Sequence, residues 1–285
     1  MEIQLRPAQP EDVEACGRIC FEAFTAINQA HNFPPDFPNP DLAIQVLRML
    51  MEHPRHYVVV AESAGRIVGS NAVDERGSIA GIGPITVDPS RQNGGVGRAL
   101  MEHVIERSWQ RGSAGIRLVQ AAFHNRSLSL YTKIGFDPRE PLSVMQGPPI
   151  RGKIEGYEVR AATAGDVPAC SRLCRSVHGH DREGELRDAI SQGTARVVER
   201  GGQIVGYATA IAFFSHAVAD GDAALQALIA DAAAFPGPGF LVPTRNATLM
   251  RWCLENGLRV VEPMTLMTMG LYNEPRGSYL PSISY

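Results

Sequence analysis

The chain is one pattern written twice, and this repetition constrains its fold more than any other feature. Asp12-Val13-Glu14-Ala15-Cys16-Gly17-Arg18-Ile19-Cys20 returns as Asp166-Val167-Pro168-Ala169-Cys170-Ser171-Arg172-Leu173-Cys174, at an offset of 154 that Arg6 and Arg160 share. Glu62-Ser63-Ala64-Gly65-Arg66-Ile67-Val68-Gly69 returns as Glu199-Arg200-Gly201-Gly202-Gln203-Ile204-Val205-Gly206, at an offset of 137. Asn125, Leu128 and Tyr131 match Asn246, Leu249 and Trp252 at an offset of 121, and Glu140-Pro141 matches Glu262-Pro263 at 122. Matches in one order, with offsets that fall from 154 through 137 to 121–122, describe a duplicated domain whose second copy has been shortened in two places; the period is far too long for a solenoid.

The division predicted is a first domain over residues 1–147, a Pro/Gly linker over 148–155 and a second domain with a tail over 156–285. Each copy reads as strand, helix, two strands joined by a Gly turn (Ala64-Gly65 in the first copy), strand, helix, strand, helix and strand. That order predicts an α+β (mixed α/β) fold: two tandem domains, each a mostly antiparallel sheet flanked by helices on both faces.

The copies differ where chemistry would sit. In the first, the strand-like Gly83-Pro84-Ile85-Thr86-Val87 runs through Gln92-Asn93-Gly94-Gly95-Val96-Gly97-Arg98 into an amphipathic helix. A Gly-rich turn leaves N–H groups uncovered, and the helix N-terminus behind it adds partial positive charge, so the turn suits a phosphate or pyrophosphate. Downstream, Asn125-Arg126-Ser127-Leu128-Ser129-Leu130-Tyr131 reads as a helix capped by Asn125, ending at Gly135-Phe136. The spacing Gln92-x-x-Gly95-x-Gly97, with an Asn, a Tyr six residues on and then Gly-Phe, resembles the two signatures of the GNAT N-acetyltransferases. The resemblance covers nearly all of 1–147, and 156–270 only through the repeat.

That resemblance implies transfer of an acetyl group from acetyl-CoA, as cosubstrate and without a metal, directly to a primary amine of a small molecule or an amino terminus. The coenzyme would lie against Ile85, Thr86, Val87 and Gln92 to Arg98, with Asn125 and Tyr131 nearby. A backbone N–H near Val87 would polarise the thioester carbonyl. Tyr131 would serve as the proton donor to the departing thiolate, or else as an aromatic anchor between helix and sheet. The strand-4 glutamate that many relatives use as base has no counterpart in Gly81 to Val87, which leaves Asp74 and Glu75 on the preceding hairpin as candidates. His31, Phe33 and Asp36, in a Pro-stiffened loop after the first helix, are the candidate acceptor-binding residues.

The second copy lacks the Gly-rich turn and carries Trp252 in place of Tyr131, which implies one coenzyme site per chain. A non-catalytic acetyl-CoA sensor or interaction module, and an acyltransferase acting on a hydroxyl or thiol, are the alternative readings. The tail around Tyr272 to Pro281, rich in Tyr and Pro, is expected to lie across the first copy's substrate cleft or to seal a groove.

Other signals point away from further chemistry. Net charge is −3 and neither half is basic, which disfavours nucleic acid and membrane as partners and leaves a small-molecule or peptide amine, with the chain a monomer or homodimer. Five cysteines without a CxxC pair, no secretory-type start and no run of membrane-spanning length predict a cytoplasmic setting. Gly147 to Lys153 nearly spells a P-loop, but Ile154 stands where Ser or Thr would hold Mg²⁺. The pairs Cys16/Cys20 and Cys170/Cys174 read as small apolar core residues, and His178-Gly179-His180 as a loop.

Overall fold

The computed structural model describes residues 3–285. The first copy runs β1 (Gln4–Pro7), α1 (Val13–Ala30), α2 (Pro40–Glu52), β2 (His56–Ser63), β3 (Arg66–Asp74), β4 (Ile79–Ile82), β5 (Thr86–Val87), α3 (Val96–Gln110), β6 (Gly115–Ala121), α4 (Asn125–Lys133) and β7 (Asp137–Gln146). The second repeats it as β8 (Glu158–Ala161), α5 (Val167–His178), α6 (Glu183–Ser191), β9 (Arg196–Arg200), β10 (Gln203–Ala208), β11 (Ala217–Ala219), α7 (Asp222–Asp231), β12 (Phe240–Pro243), α8 (Ala247–Glu255) and β13 (Arg259–Gly270), followed by β14 (Ser278–Leu280). The second helix of each copy, α2 and α6, is an addition to the order expected from sequence. Its start in the first copy was legible: Asn39 accepts a hydrogen bond from Leu42 N at 3.2 Å, and Pro40 sits in the first turn, where no N–H is needed.

The repeated residues build the same polar joint twice. Arg6 binds Asp12 at 2.7 Å and Glu62 at 3.0 Å; Arg160 binds Asp166 at 2.8 Å and Glu199 at 2.6 Å. Each Asp also accepts the backbone N–H three residues earlier, Gln9 or Thr163, which fixes the entry to the first helix. The arginine holds Asp12 below the usual carboxylate range, and Asp166 likewise.

Compactness divides the chain differently from the sequence copies. One unit takes the described chain up to Pro138, with Met267–Leu271 and Ser284–Tyr285; the other takes Arg139–Leu266 and Tyr272–Ile283. The end of β13 thus belongs with the first copy's elements and most of β7 with the second's. β7 pairs antiparallel with β12, Met145 opposite Phe240 and Leu142 opposite Pro243, while Leu271 N donates to Ala114 O beside β6 at 2.9 Å. Strand pairing uses backbone groups common to every residue, so the side-chain pattern of a last strand does not say which edge it will close.

In the first unit β1, β2, β3 and β4 follow one another and β6 joins β4 in parallel; β5 pairs with β3 alone. The turn between β2 and β3 places Ala64 and Gly65 at φ of 51° and 72°, as a tight two-residue hairpin requires. β2 alternates cleanly: Val59 and Ala61 join Leu100, Met101, Val104, Ile116, Leu118, Tyr131 and Phe136 on one face, while Val60 meets Cys16, Cys20, Ala43 and Leu47 of α1 and α2 on the other. The cysteines are therefore core residues, and burial pushes Cys16 up to about 12. A Cβ on Gly17 would stand 2.5 Å from Ile44 Cα, so this glycine sets how closely α1 and α2 approach.

In the second unit β14 pairs with β11, Ala217 opposite Leu280, and closes the sheet β14-β11-β10-β9-β8. The centre of Tyr272 to Pro281 is thus a strand of the second unit, with Tyr279 and Leu280 buried. Among the described residues no helix is long and apolar enough to cross a membrane, and no cluster of His, Cys, Asp and Glu could hold a metal ion.

Candidate active site

β4 and β6 run side by side only from Ile79 opposite Gly115 to Gly81 opposite Arg117. Beyond that point Gly83 N turns back to Ala72 O at 2.9 Å, Pro84 has no N–H to offer, and β5 bonds to β3, leaving a gap between β5 and the rest of β6. Asp88 N donates to Val68 O at 2.9 Å. Because N–H directions alternate along an antiparallel ladder, Val87 N–H points the opposite way, towards the gap.

The turn that follows is shaped by backbone conformation. Asn93 and Gly95 adopt φ of 67° and 85°, and Gly95 begins α3 with no side-chain cap, so the N–H groups of Val96, Gly97 and Arg98 lack partners within the helix. Val96 is buried and Arg98 is turned outward to Glu102, so both contribute through the main chain. A Cβ on Gly97 would lie 3.7 Å from Val87 Cγ2 and 3.8 Å from Leu130 Cδ2, ordinary contacts that the fold would tolerate. A residue with no packing reason to be glycine, at a helix N-terminus, fits a cradle into which a phosphate must come close.

Gln92 and Asn93 hold this turn in place. Gln92 Nε2 donates to Val87 O at 3.3 Å, and Arg126 of α4 donates to Gln92 Oε1 and to Asn93 Oδ1 at 3.2 Å. Arg126 is a residue that the sequence reading missed, although it stands inside the Asn125 motif; its guanidinium brings positive charge to the same turn. Asn125 itself is the first residue of α4 and not its cap. His124 occupies the cap position, and it is Asn246 in the second copy that caps, accepting from Leu249 N at 3.0 Å.

Two polar atoms beside the gap lack hydrogen-bond partners: Gln120 Nε2, on the same face of β6 as Ile116 and Leu118, and His124 Nε2. Burial and the nearby Arg126 push His124 down to about 4, so its ring is neutral. Tyr131 packs in the α3-side core with its ring edge-on to Phe136, and burial raises it above the usual phenol range. Ile85 packs partly buried against that core, and Thr86 Oγ1 lies 3.5 Å from Ser70 Oγ.

The loop after α1 reaches the same end of β6. Phe33 stacks on Phe123 at 4.1 Å between centroids, and His31 lies 5.4 Å from the same ring. Asp36 is pushed up to about 6 by burial, against the opposing hydrogen bond from Asn28.

Asp74 and Glu75 are not brought to this place. Asp74 is held by Arg76 at 2.6 Å, and Glu75 by Arg107 at 2.7 Å and Arg111 at 3.0 Å. Arg107 and Arg111 stand at the C-terminal end of α3, about 16 and 22 Å along the axis from Val96 at about 1.5 Å per residue. Glu75 therefore fastens the hairpin to α3, and Asp74, opposite Gly81, is held within the hairpin by Arg76.

The second unit has no equivalent cradle. Only Asp220 and Gly221 separate β11 from α7, and the Asp222 carboxylate occupies the helix start, accepting from Asn246 Nδ2 at 2.7 Å and Ser278 Oγ at 2.6 Å. A carboxylate fixed at that N-terminus repels a phosphate. Trp252 in the Tyr131 position packs against the core.

Comparison with known proteins agrees with this arrangement. Residues 22–136 match the Acetyltransferase (GNAT) family model. The [ribosomal protein bS18]-alanine N-acetyltransferase of Escherichia coli K12 is 42% identical over 53 residues, 19% of this chain and 36% of that one, so the match spans about a third of the relative's length. Among solved structures, a Pyrococcus horikoshii protein assigned as an acetyltransferase superposes with a TM-score of 0.74 at 18% identity, covering 94% of this chain and 89% of its own. A GCN5-related N-acetyltransferase of Sphaerobacter thermophilus gives 0.60 at 17% identity over 99% and 98%, and a tandem GNAT protein from the clavulanic acid biosynthesis pathway 0.54 at 15% over 94% and 98%. The first copy thus matches the GNAT acetyltransferase family model over residues 22–136, and the whole chain shares the fold of these solved structures.

Proposed function

We propose that this chain transfers the acetyl group of acetyl-CoA to a primary amine, using the first copy alone. The observation that carries the reading is the α3 N-terminus, glycine-lined where packing does not demand glycine and placed beside a gap with Val87 N–H pointing into it. Acetyl-CoA, the cosubstrate of the family, supplies an activated thioester carbonyl. Val96 to Arg98 N–H groups and Arg126 would hold its pyrophosphate, and Val87 N–H would polarise the carbonyl as charge develops on its oxygen. Tyr131, raised above the ordinary phenol value, holds its proton more tightly than a thiol of pKa about 8.5, so its contribution is a hydrogen bond to the departing sulfur rather than complete transfer.

Asp36 replaces Asp74 and Glu75 as the acid that meets the acceptor. Its carboxylate, formed as pH rises through about 6, would attract the ammonium and take the proton that the amine must lose, directly or through water. Phe33, His31 and Phe123 supply an apolar wall for the carbon skeleton. The acceptor would be a small-molecule amine or an amino terminus; the E. coli relative is an alanine N-acetyltransferase of ribosomal protein bS18. Calorimetry with acetyl-CoA should return one site per chain, and thiol release with a panel of amines and short peptides should follow. Two sites per chain would overturn the assignment to the first copy; tight binding with no turnover of any amine would favour the sensor reading.

A further inference from the structure

The gap beside β5 has a counterpart in the second unit, and there it is full. Gly69 and Gly206 are equivalent in the repeat; Val87 stands opposite the first and Ala219 opposite the second. Asp88 N donates to Val68 O and Asp220 N to Val205 O, both at 2.9 Å. β11 is therefore the second copy's β5, as β12 is its β6. By the same alternation that aims Val87 N–H into the gap, Ala219 N–H points away from β10. There it meets β14, with Ser278 as its register partner, and β14 also lies beside β12 and α7.

Side chains hold this strand as well as its ladder. Ser278 Oγ donates to the Asp222 carboxylate at 2.6 Å, at the start of α7, where the first copy keeps its glycine cradle. Leu280, on the same face, enters the core with Leu228 of α7 and Leu249 of α8. Tyr279 takes the other face: its ring stands edge-on to His178 at 5.0 Å, and its hydroxyl donates to the buried Glu140 at 3.4 Å. Arg276 N donates to Val177 O at 2.9 Å. A Cβ on Gly277 would come within 2.7 Å of Val177 Cγ2 and 2.9 Å of Ala219 O, so no larger residue fits there without displacement. A backbone ladder with a side-chain pocket on each face is the way an extended peptide is recognised.

We infer that the second copy's gap has become a peptide-binding groove, specific for a Gly-Ser-Tyr-Leu strand, and that its ligand is residues 277–280 of this same chain. The Ser278 main chain takes the N–H that corresponds to Val87's, and the Ser278 hydroxyl is tied to the acid that replaces the cradle. Equating this gap with a coenzyme site rests on the reading of the first copy above; the groove and its occupant do not. Beyond the strand, Ser284 and Tyr285 group with the first unit, where the Ser284 carbonyl lies against Gly81. Truncating the tail would remove that contact too, so the strand is better displaced by substitution.

Gly277→Val in the full chain does this. Hydrogen exchange read by mass spectrometry should show residues 217–220 and 277–281 losing protection together, by at least about tenfold, with β9 unchanged. A synthetic peptide of residues 274–285 should restore protection at 217–220 in this variant, and the same peptide carrying Gly277→Val should not. Calorimetry with acetyl-CoA should still return one site per chain. Wild-type protection at 217–220 in the variant, or failure of the wild-type peptide to restore it, would overturn the groove. A second acetyl-CoA site in Gly277→Val would overturn it as well, because the strand would then be masking a coenzyme site. If Gly277→Val does not fold, a protease site placed between Asn273 and Glu274 of the otherwise unaltered chain asks the same question. After cutting, the fragment should exchange with labelled wild-type peptide and not with the Gly277→Val peptide; equal uptake of the two would overturn the assignment. Failure of the wild type to bind acetyl-CoA at all would fall on the transferase reading alone.

Discussion

Gly97→Ala separates a glycine kept for a ligand from one kept for the fold. The added Cβ would meet Val87 Cγ2 and Leu130 Cδ2 at 3.7 and 3.8 Å, van der Waals contacts that require no movement. Residue 97 is the second of α3, where alanine is the better helix former by up to about 1 kcal/mol. The ligand-free protein should therefore melt at an equal or higher temperature. If the turn cradles a pyrophosphate, the same methyl group intrudes where the ligand must approach the main chain, and a tenfold loss of affinity, about 1.4 kcal/mol, is the least expected. At a concentration giving the wild type about 2.7 kcal/mol of ligand stabilisation, the variant would then gain only about 1.4 kcal/mol. Thermal melts with and without acetyl-CoA, backed by calorimetry, read both quantities in one series. Wild-type affinity in a stably folded Gly97→Ala would refute the cradle, because nothing else at this position calls for glycine.

Other expectations follow from the same geometry. Tyr131→Phe should lower kcat by about 10²-fold while acetyl-CoA affinity stays within about twofold, and full activity across pH would reduce Tyr131 to a core ring. With Asp36 raised to about 6, kcat/KM should climb with pH through that value, and Asp36→Asn should abolish this limb. The same shift works against stability: it favours the fold below the unfolded carboxylate value near 4, and that advantage is lost as pH rises through about 6. Asp36→Asn should therefore be more stable than wild type at pH 8, by up to about 3 kcal/mol before allowance for its partial exposure, and chemical denaturation at pH 4 and pH 8 would show whether the gain appears. Asp12 and Asp166 have lowered values, so their ion pairs stabilise above about pH 4 and lose that effect as pH falls. Replacing either by Asn should cost on the order of 1–3 kcal/mol at pH 7, with the difference shrinking in acid; equal stability at pH 7 would show that the joint is dispensable.

The sequence by itself determined whatever depends on neighbouring residues and backbone conformation. The duplicated order of elements, the left-handed glycine that opens α3, the hairpin at Ala64-Gly65 and the loss of the cradle in the second copy were all legible, because each is local. Even the Arg6–Asp12–Glu62 joint left a trace, as three residues that return together in the second copy as Arg160, Asp166 and Glu199. The base was misread for the complementary reason. Asp74 and Glu75 are close to β4 along the chain, but Arg76 two residues on claims Asp74, and Arg107 and Arg111 claim Glu75 through ion pairs more than thirty residues apart that leave no local pattern. Only the tertiary structure decided which sheet edge β7 and β13 close, that Tyr272 to Pro281 contains a strand while Ser284–Tyr285 sits over Gly81, and that Arg126 reaches the coenzyme turn. Those outcomes depend on backbone hydrogen bonds that any sequence can make and on desolvation of groups far apart in the chain, neither of which a linear pattern records.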